Sequence, residues 1–505
     1  SSFSFGNDQT LGGNGTATRY TGGSVRINFT GDTNRGMVFN NNSNTNFSGG
    51  IDVTAGNTFT LRGVASQGSE LDYGFKTGPG TLVTTANNTM RGFVIADGTF
   101  QFANSTPWAN STTTAADNTF IEFMGGTLRA LNTGANIALT NQASATTYNY
   151  GGGMTLSMGS GTGFSVEFGA DNLIRQNQGT LVIQTEGATT LGGVGGANTG
   201  RLIVTNAVNA GLARGSALTN GIFPAHLIGA NGAGDGFFLS NDAATGFVPY
   251  AGAVNTSLLG QAPGAIGIVL APEFLVGQNS IYSFSTSANI HGGSLTVTAI
   301  DNVRSGGVLI NGSNTISSNL IFSPESATAA GAGTPGEALV FVKAGASAAI
   351  NGTITSNAFT KFGRGELTLG GSTTVLGDVS VQDGTLKVGS SSTFSRMNSE
   401  LNINSGATLD LNGYNVAFET IGANNRQVAT TNLGGSITNT SGTTSTLMVA
   451  GPLASTFNGT INLNTRLVKA GAGVLTINGY SAATPDAGVN TFTGGTDIYG
   501  VGTTG

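Results

Sequence analysis

Cysteine is absent from the 505-residue sequence, and charged side chains make up only 9% of it. Without thiols the chain can form neither disulfide bonds nor thiolate metal sites, and its two histidines do not make a zinc site. The 19 Lys and Arg residues are dispersed and form no basic patch, which excludes nucleic-acid binding and polybasic docking to a membrane surface. We therefore predict no metal, no cofactor and no nucleic-acid partner.

Long apolar runs are also missing. The longest such stretch, residues 264–277, contains Pro272 and Glu273 and is too short to span a bilayer. This predicts no membrane insertion of this chain. Its first residues are Ser-Ser, without a Met or an apolar signal region, so we expect a processed, exported product.

Glycine and strand-forming residues are abundant instead. The chain has 82 Gly and 28 Phe, and 38% of it is hydrophobic, which is enough apolar surface to bury and argues against disorder. Val25, Ile27 and Phe29 alternate with polar residues, a period of two that is typical of a half-buried strand. No helical periodicity of useful length occurs, so the pattern predicts an all-β protein.

One pattern, Lys-x-Gly-x-Gly-x-Leu, recurs along the chain. Its lysines and glycines are Lys76, Gly78, Gly80, Lys361, Gly363, Gly365, Lys469, Gly471 and Gly473. The first two copies close on the same Asp-Gly-Thr tripeptide, at 97–99 and 383–385. A repeat with a period in the low twenties indicates stacked structural units. We expect a structural role for each lysine, with its alkyl stem covering a coil edge and its ammonium meeting solvent or a carboxylate.

This pattern, followed by Asn-Thr-Phe-Thr-Gly-Gly-Thr at 490–496, resembles the autotransporter-associated β-strand repeat of large secreted bacterial passenger proteins. The resemblance is closest at 359–389 and 466–499 and extends to 75–102. It implies a parallel β-helix, right-handed, that is exported to the bacterial cell surface. It implies no enzymatic activity, because these repeats carry no catalytic signature.

Taken together, these features predict a single elongated parallel β-helix. Residues 1–204 would form N-terminal rungs and residues 291–505 C-terminal rungs. Between them, the Ala/Gly/Pro-containing segment 205–290 predicts an irregular, loop-rich excursion packed on the solenoid. With roughly 20–25 residues per coil and about 4.8 Å per coil, the whole chain would be a rod about 100 Å long.

The two ends of the sequence look like complementary halves of one repeat. Residues 490–499 match the first half, and residues 2–12 match the second half. We therefore predict a structural subunit of an extracellular bacterial fibre, with itself as partner, in which the tail of one copy pairs with the head of the next. The predicted interface residues are Phe3, Phe5, Leu11, Phe492, Thr496, Ile498 and Tyr499.

Two alternatives remain open. A surface adhesin would bind glycans or a host surface through 205–290. A β-helix polysaccharide lyase or hydrolase would need converging carboxylates, for which Asp235 with Asp242, or Asp301 with Arg304, are the candidates. Their spacing is not diagnostic, and fold alone does not license function, so we predict no enzyme activity.

Overall fold

The structure is a computed structural model of the chain. It describes residues 2–499 except for 6–17, 21–23, 40–48, 68–72, 87, 89–91, 103–119, 131–136, 140–146, 151–152, 159–164, 171, 176–177, 194–197, 205–220, 300–306, 325–335, 395–397, 423–433 and 479–489. Within these residues the regular structure is β-strand, which agrees with the all-β prediction.

The described strands fall into two sets, which we call stack 1 (residues 2–249) and stack 2 (residues 255–498), because none of the sheets that they form contains strands from both. The strands of stack 1 are β1 (Ser2–Phe5), β2 (Thr18–Tyr20), β3 (Ser24–Ile27), β4 (Gly31–Thr33), β5 (Met37–Phe39), β6 (Gly49–Val53), β7 (Thr58–Leu61), β8 (Ala65–Gln67), β9 (Tyr73–Thr77), β10 (Thr81–Thr84), β11 (Gly92–Ile95), β12 (Thr99–Phe102), β13 (Phe120–Phe123), β14 (Thr127–Ala130), β15 (Ile137–Leu139), β16 (Thr147–Tyr150), β17 (Gly153–Met158), β18 (Ser165–Ala170), β19 (Asn172–Arg175), β20 (Thr180–Thr185), β21 (Thr190–Leu191), β22 (Thr199–Val204), β23 (Leu227–Ala230), β24 (Gly236–Asp242) and β25 (Gly246–Pro249).

Stack 2 continues the numbering. Its strands are β26 (Ile266–Val269), β27 (Glu273–Phe274), β28 (Gln278–Ile281), β29 (Ser283–Thr286), β30 (Ile290–His291), β31 (Ser294–Ala299), β32 (Val308–Ile310), β33 (Thr315–Ile316), β34 (Asn319–Pro324), β35 (Glu337–Val342), β36 (Ser347–Ile350), β37 (Ile354–Ser356), β38 (Ala358–Phe362), β39 (Glu366–Leu369), β40 (Thr373–Val375), β41 (Val379–Val381), β42 (Gly384–Val388), β43 (Asn398–Ile403), β44 (Ala407–Asp410), β45 (Val416–Gly422), β46 (Ser436–Thr438), β47 (Ser445–Val449), β48 (Ser455–Phe457), β49 (Thr460–Ile461), β50 (Thr465–Lys469), β51 (Leu475–Ile477) and β52 (Thr496–Ile498).

Parallel pairing dominates both stacks. Stack 1 has an eight-stranded sheet in the order β1-β3-β6-β9-β11-β13-β16-β19 and a ten-stranded sheet that runs from β4 to β25, with two smaller sheets. Stack 2 has an 11-stranded sheet in the order β26-β29-β32-β35-β38-β41-β43-β45-β47-β50-β52 and a nine-stranded sheet from β27 to β49, with two smaller sheets. Strands that follow one another in a sheet come from successive repeats, a topology consistent with a β-solenoid.

The core of each stack comes from the alternation seen in the sequence. In β7, Phe59 and Leu61 are fully buried while their neighbours are half-buried. Other strands are buried on both faces, and all six residues of β35 are buried. A parallel strand covered on both sides needs apolar residues at consecutive positions, so these strands must lie against something outside their own stack.

The covering element is the other stack. Twelve residues form an apolar contact between the stacks: Val182, Ile222, Ala225, Ile228, Ala230 and Phe238 from stack 1, and Ile266, Tyr282, Leu309, Leu339, Phe341 and Phe362 from stack 2. Beside it, Arg175 makes a two-pronged ion pair with Glu337 at 2.9 and 3.0 Å, and both side chains are buried. The stacks therefore lie side by side.

Contacts along this interface give the relative direction of the stacks. The Ser405 side chain, just after β43, hydrogen-bonds to the Asp97 carboxylate, just after β11. Arg175 ends β19, three strands further along its sheet, and its partner Glu337 begins β35, three strands back. Because one stack advances while the other recedes by the same number of strands, the two stacks run antiparallel.

This arrangement differs from the single elongated rod expected from the sequence, because the strands form two adjacent stacks. The described part of the predicted excursion, residues 221–290, is where the chain leaves stack 1 and enters stack 2. It contains strands β23 to β29 and the start of β30, with a stretch without strands at 250–265. The chain passes between the stacks at 250–254, and we call this end of the molecule the turn end.

Candidate functional site: the open ends of the stacks

The opposite end of the molecule, which we call the terminal end, holds the first and last described strands. Beyond β11 the eight-stranded sheet has four more strands, of which β1 is the last. Beyond β43 the 11-stranded sheet also has four more strands, of which β52 is the last. Because the residues after β11 and β43 touch each other, β1 and β52 lie at the same end of the molecule. Each is the outermost strand of its sheet.

Residues at the same register position of successive strands form a row, and we call a row whose members are mostly buried in the core a core row. Ile498 in β52 is exposed although it belongs to a core row. Strand register places it over Lys469, which lies over Val449, which lies over Phe418. Val449 and Phe418 are 1% and 0% exposed, whereas Ile498 is 77% exposed and the adjacent Tyr499 is 61% exposed. The row continues to the last described strand, and no described layer covers it there.

The N-terminal edge has a matching register. Phe3 and Phe5 in β1 pair with Val25 and Ile27 of β3, both of which are buried in the core. Both edges therefore place apolar residues at core-row positions of an outermost strand. Such an edge is the surface onto which a further parallel strand can be added.

The other predicted interface residues have separate places. Phe492 is half-buried and packs against the core of stack 2, so part of it is already used within the chain. Thr496 begins β52 and is exposed. Leu11 lies outside the described residues.

The repeat lysines build a second feature, a set of ammonium groups bound by backbone carbonyls. Lys361 stands in a core row of β38, with register partners Val340 and Val381 that are buried. Its ammonium donates to the carbonyl oxygens of Gly363 and Gly365, both at 2.5 Å, and of Asp383 at 2.6 Å. One side chain thus links the turn after β38 to the turn after β41 in the next repeat. We call this arrangement the lysine clamp.

Lys76 repeats this geometry in stack 1. Its ammonium donates to the carbonyl oxygens of Thr77 at 2.8 Å, Gly78 at 2.5 Å and Asp97 at 3.1 Å. Lys76 and Lys361 are both completely buried. Lys469 is half-buried, and in the described part of the chain its ammonium donates to two carbonyls, those of Ala470 and Gly471.

The two glycines of each repeat make room for this clamp in different ways. Gly363 has φ of +77°, a left-handed conformation that favours glycine. Gly365 has an ordinary backbone, but a Cβ there would collide with the carbonyl oxygen of Lys343 on the preceding repeat. The corresponding glycines of the other copies have the same positive φ or the same close contact with a backbone carbonyl. This turn therefore requires the Lys-x-Gly-x-Gly spacing.

The sequence-based expectation for the lysine ammoniums was wrong for Lys76 and Lys361, since they contact neither solvent nor, directly, a carboxylate. Burial lowers the pKa of Lys76 to about 8, with the carboxylates of Asp97 and Asp52 opposing the shift. Burial likewise lowers the pKa of Lys361 to about 7, opposed by Asp383 and Glu366. The charge of each lysine is thus held by carbonyl dipoles at some energetic cost.

A cleft lies where the end of stack 1 meets the first strands of stack 2. It has a volume of about 400 Å³ and is lined by aromatic, aliphatic and hydroxyl side chains. The lining includes Phe237, Tyr250, Ile268, Ser285 and the backbone of Gly236. Most of its walls come from the segment that the sequence assigned to a possible adhesin function.

The carboxylates proposed for an enzyme have local partners. Asp235 pairs with Lys343 at 2.6 Å, which lowers its pKa. Asp242 accepts bonds from the backbone of Ala244 and Thr245, which lower its pKa. Both therefore stay ionised and hold turns, while Asp301 and Arg304 lie outside the described residues.

No group of three or more His, Cys, Asp or Glu residues is placed to hold a metal ion in the described part of the chain. No described helix is long and apolar enough to cross a bilayer.

The fold and these ends define the chain as an all-β protein of long parallel sheets, consistent with a β-solenoid. Comparison with protein-family models, with curated proteins and with solved structures gives no significant match. The resemblance to autotransporter-associated repeats therefore depends on the motif residues alone.

Proposed function

We propose that this chain is a structural subunit of an extracellular bacterial fibre or surface filament, built as a right-handed parallel β-helix in each stack. In this proposal the protein works by self-association and has no catalytic role. The observation that carries it is the exposure of Ile498, a core-row residue on an outermost strand. The repeat resemblance, the absence of cysteine and the low charge favour an exported structural protein.

The contact proposed at the terminal end is strand addition. β52 of one copy adds to β1 of another, so that Ile498 is covered at the register position of Phe5. Full burial of one large aliphatic side chain contributes about 1.5–3 kcal/mol, and each ladder hydrogen bond adds about 1 kcal/mol. Because association has its own entropic cost, several layers of contact are needed for a stable junction.

The antiparallel stacks change the geometry of this contact. β1 and β52 lie at the same end, so a second copy related by a twofold axis can place its β1 on β52 and its β52 on β1. Both junctions preserve strand direction. Such an isologous contact closes into a pair of chains, and a fibre then needs another contact at the turn end.

The test is a charge placed on the exposed core row. We expect Ile498→Asp to abolish pairing measured by sedimentation equilibrium, while Leu376→Asp leaves it intact. Leu376 is a matched control because it is also a large exposed aliphatic residue of stack 2, at 46% exposure. A wild-type chain that sediments only as a 50.5 kDa monomer, or an Ile498→Asp variant that associates like wild type, would contradict the proposal.

A second candidate function is adhesion to surface glycans, favoured by the cleft beside Tyr250. Aromatic rings with nearby hydroxyl and carboxylate oxygens can bind the apolar face and hydroxyl groups of a sugar. We expect binding to an array of neutral oligosaccharides that Tyr250→Ala removes and Leu376→Ala does not. Absence of binding by the wild-type chain would leave the structural function alone.

A further inference from the structure

The lysine clamps of the two stacks lie close to each other across the interface between the stacks. The clamp of Lys76 includes the turn at Asp97, and the clamp of Lys361 includes the turn at Asp383. The two carboxylates are near enough for the charge of Asp383 to raise the pKa of Asp97, in addition to the larger effect of burial. Ser405 of stack 2 also hydrogen-bonds to the Asp97 carboxylate. The first two copies of the repeat therefore meet at one place in the fold.

A third cation crosses the interface at this place. Arg364 of stack 2 donates from Nη2 to the Thr127 hydroxyl of stack 1 at 2.9 Å, and its Nε atom lies 3.6 Å from the Asp383 carboxylate. Two further carboxylates, Asp52 in stack 1 and Glu366 in stack 2, interact with the clamp lysine of their own stack. The contact between the stacks is thus surrounded by ionisable groups of both signs.

The balance of charge at this contact depends on pH. Each clamp contains one lysine ammonium and one carboxylate near it, so the two charges offset each other while the lysine is protonated. Burial lowers the pKa of Lys76 to about 8 and that of Lys361 to about 7. At higher pH both clamps keep their carboxylates and lose their ammonium charges. Two negative groups then face each other across the interface, and the Arg364 guanidinium remains as a cation beside Asp383.

We propose that the facing clamps form a pH-sensitive latch, which holds the stacks together at acidic to neutral pH and opens at alkaline pH. The sign follows from the charges that the closed latch brings together. A carboxylate in the opposite clamp favours the protonated form of both a lysine and a carboxyl group. The closed latch therefore binds protons more tightly than the open one, and a rise in pH favours opening.

The rest of the interface determines where the stacks separate. The apolar contact that includes Val182 and Phe341 lies on the turn-end side of the latch and has no ionisable side chain apart from Tyr282. It keeps the stacks joined there, so the halves nearer the terminal end move apart. The carbonyl partners of Lys76 and Lys361 all belong to the stack of the same lysine. Opening the latch therefore leaves both clamps intact and is a different equilibrium from unfolding.

A distance measurement between spin labels tests the latch, because the wild-type chain has no cysteine to interfere with labelling. Ala55 and Leu453 are suitable positions for a pair of cysteines, since both are exposed and follow β6 and β47. Each of these strands is two positions beyond the Asp97–Ser405 contact in its sheet, on the side of the terminal end. An excess of unlabelled chain removes distances between molecules.

We expect the mean distance of the Ala55–Leu453 pair to increase by more than one strand spacing, about 4.8 Å, when the pH is raised from about 6 to about 9.5. The matched control is a pair at Ala188 and Ala344, which are exposed and lie beside the apolar contact. Its distance should stay constant. No change in the first pair, or an equal change in both pairs, would overturn the latch.

Two charge variants identify the groups responsible. In Asp97→Asn the amide oxygen can still accept the bond from the Gly98 amide, but the side chain cannot ionise. We expect the Ala55–Leu453 distance of this variant to be the same at both pH values. Asp383→Asn makes the same test from the other stack. A pH-dependent change of wild-type size in both variants would show that the facing carboxylates do not control the interface.

Discussion

Replacing Lys361 with methionine tests whether a buried ammonium holds neighbouring repeats together. Met is close to Lys in length and can fill the core-row position of β38, but it has no hydrogen-bond donor. The substitution leaves three carbonyl oxygens, those of Gly363, Gly365 and Asp383, without the ammonium that binds them. The strand itself should remain in place.

The expected cost follows from opposing terms. Each buried acceptor that loses its donor costs about 1–3 kcal/mol. Gly365 also accepts a backbone bond from Thr385, so its loss is smaller. Removing a buried charge returns part of the cost of desolvating it, which the lowered pKa of Lys361 reflects. We therefore expect a net destabilisation of about 3 kcal/mol, mainly in the two repeats that contain Lys361 and Asp383.

Hydrogen exchange measured by mass spectrometry is the suitable assay, because a two-stack protein need not unfold in one step. Lys361→Met should reduce protection in β38, β41 and β42. Lys469→Met is the matched control, since its ammonium is half-buried and has two carbonyl partners in the described residues. We expect it to cost less than about 1 kcal/mol. Protection at or above the wild-type level in Lys361→Met would refute the clamp.

Three further predictions concern stability. The pKa of Lys361 is about 7 in the folded chain and its ordinary value is 10.5, so between these pH values the unfolded chain binds a proton that the folded chain does not. The free energy of unfolding measured in urea should therefore rise with pH in this range by up to about 1.4 kcal/mol per pH unit. The Lys361→Met substitution should flatten this slope. Burial and the nearby Asp378 raise the pKa of Glu400, so Glu400→Gln should stabilise the chain at pH 7 by less than about 1 kcal/mol after solvent screening, whereas a lower melting temperature would show that the charge is needed. Gly365→Ala should cost more than about 3 kcal/mol in the same unfolding assay, because its Cβ would meet a backbone carbonyl. The control is Gly442→Ala, whose Cβ meets no atom within 4 Å and which should change stability by less than about 0.5 kcal/mol. Equal effects of the two substitutions would contradict the steric account.

The all-β class could be predicted from the sequence because period-two alternation and glycine spacing are local signals. Phe59 and Leu61 alternate with threonines and are indeed the buried residues of β7. The importance of the Lys-x-Gly-x-Gly repeat was likewise visible, although not the position of the ammonium. A lysine that stands in a core row looks the same in sequence as one on the surface.

The second stack was harder to predict, because contacts between stacks join residues far apart in the chain. Arg175 and Glu337 are separated by 162 positions. One local signal was present: Ala338 to Val342 is an unbroken apolar run, and such a run indicates a parallel strand buried on both faces. Interpreted that way, it would have required a covering element outside the solenoid core.

Both junctions proposed at the terminal end depend on one topological fact, the equal count of strands beyond the inter-stack contact at Asp97 and Ser405. Four strands follow on each side, so in this proposal a twofold-related copy meets both edges at once. One additional repeat in either stack would shift its edge by about 4.8 Å, the spacing of one strand. The longer stack would then meet its partner first and leave a gap of one layer at the other junction. Paired growth therefore constrains the number of repeats in the two stacks together, although each repeat is stabilised chiefly by its immediate neighbours.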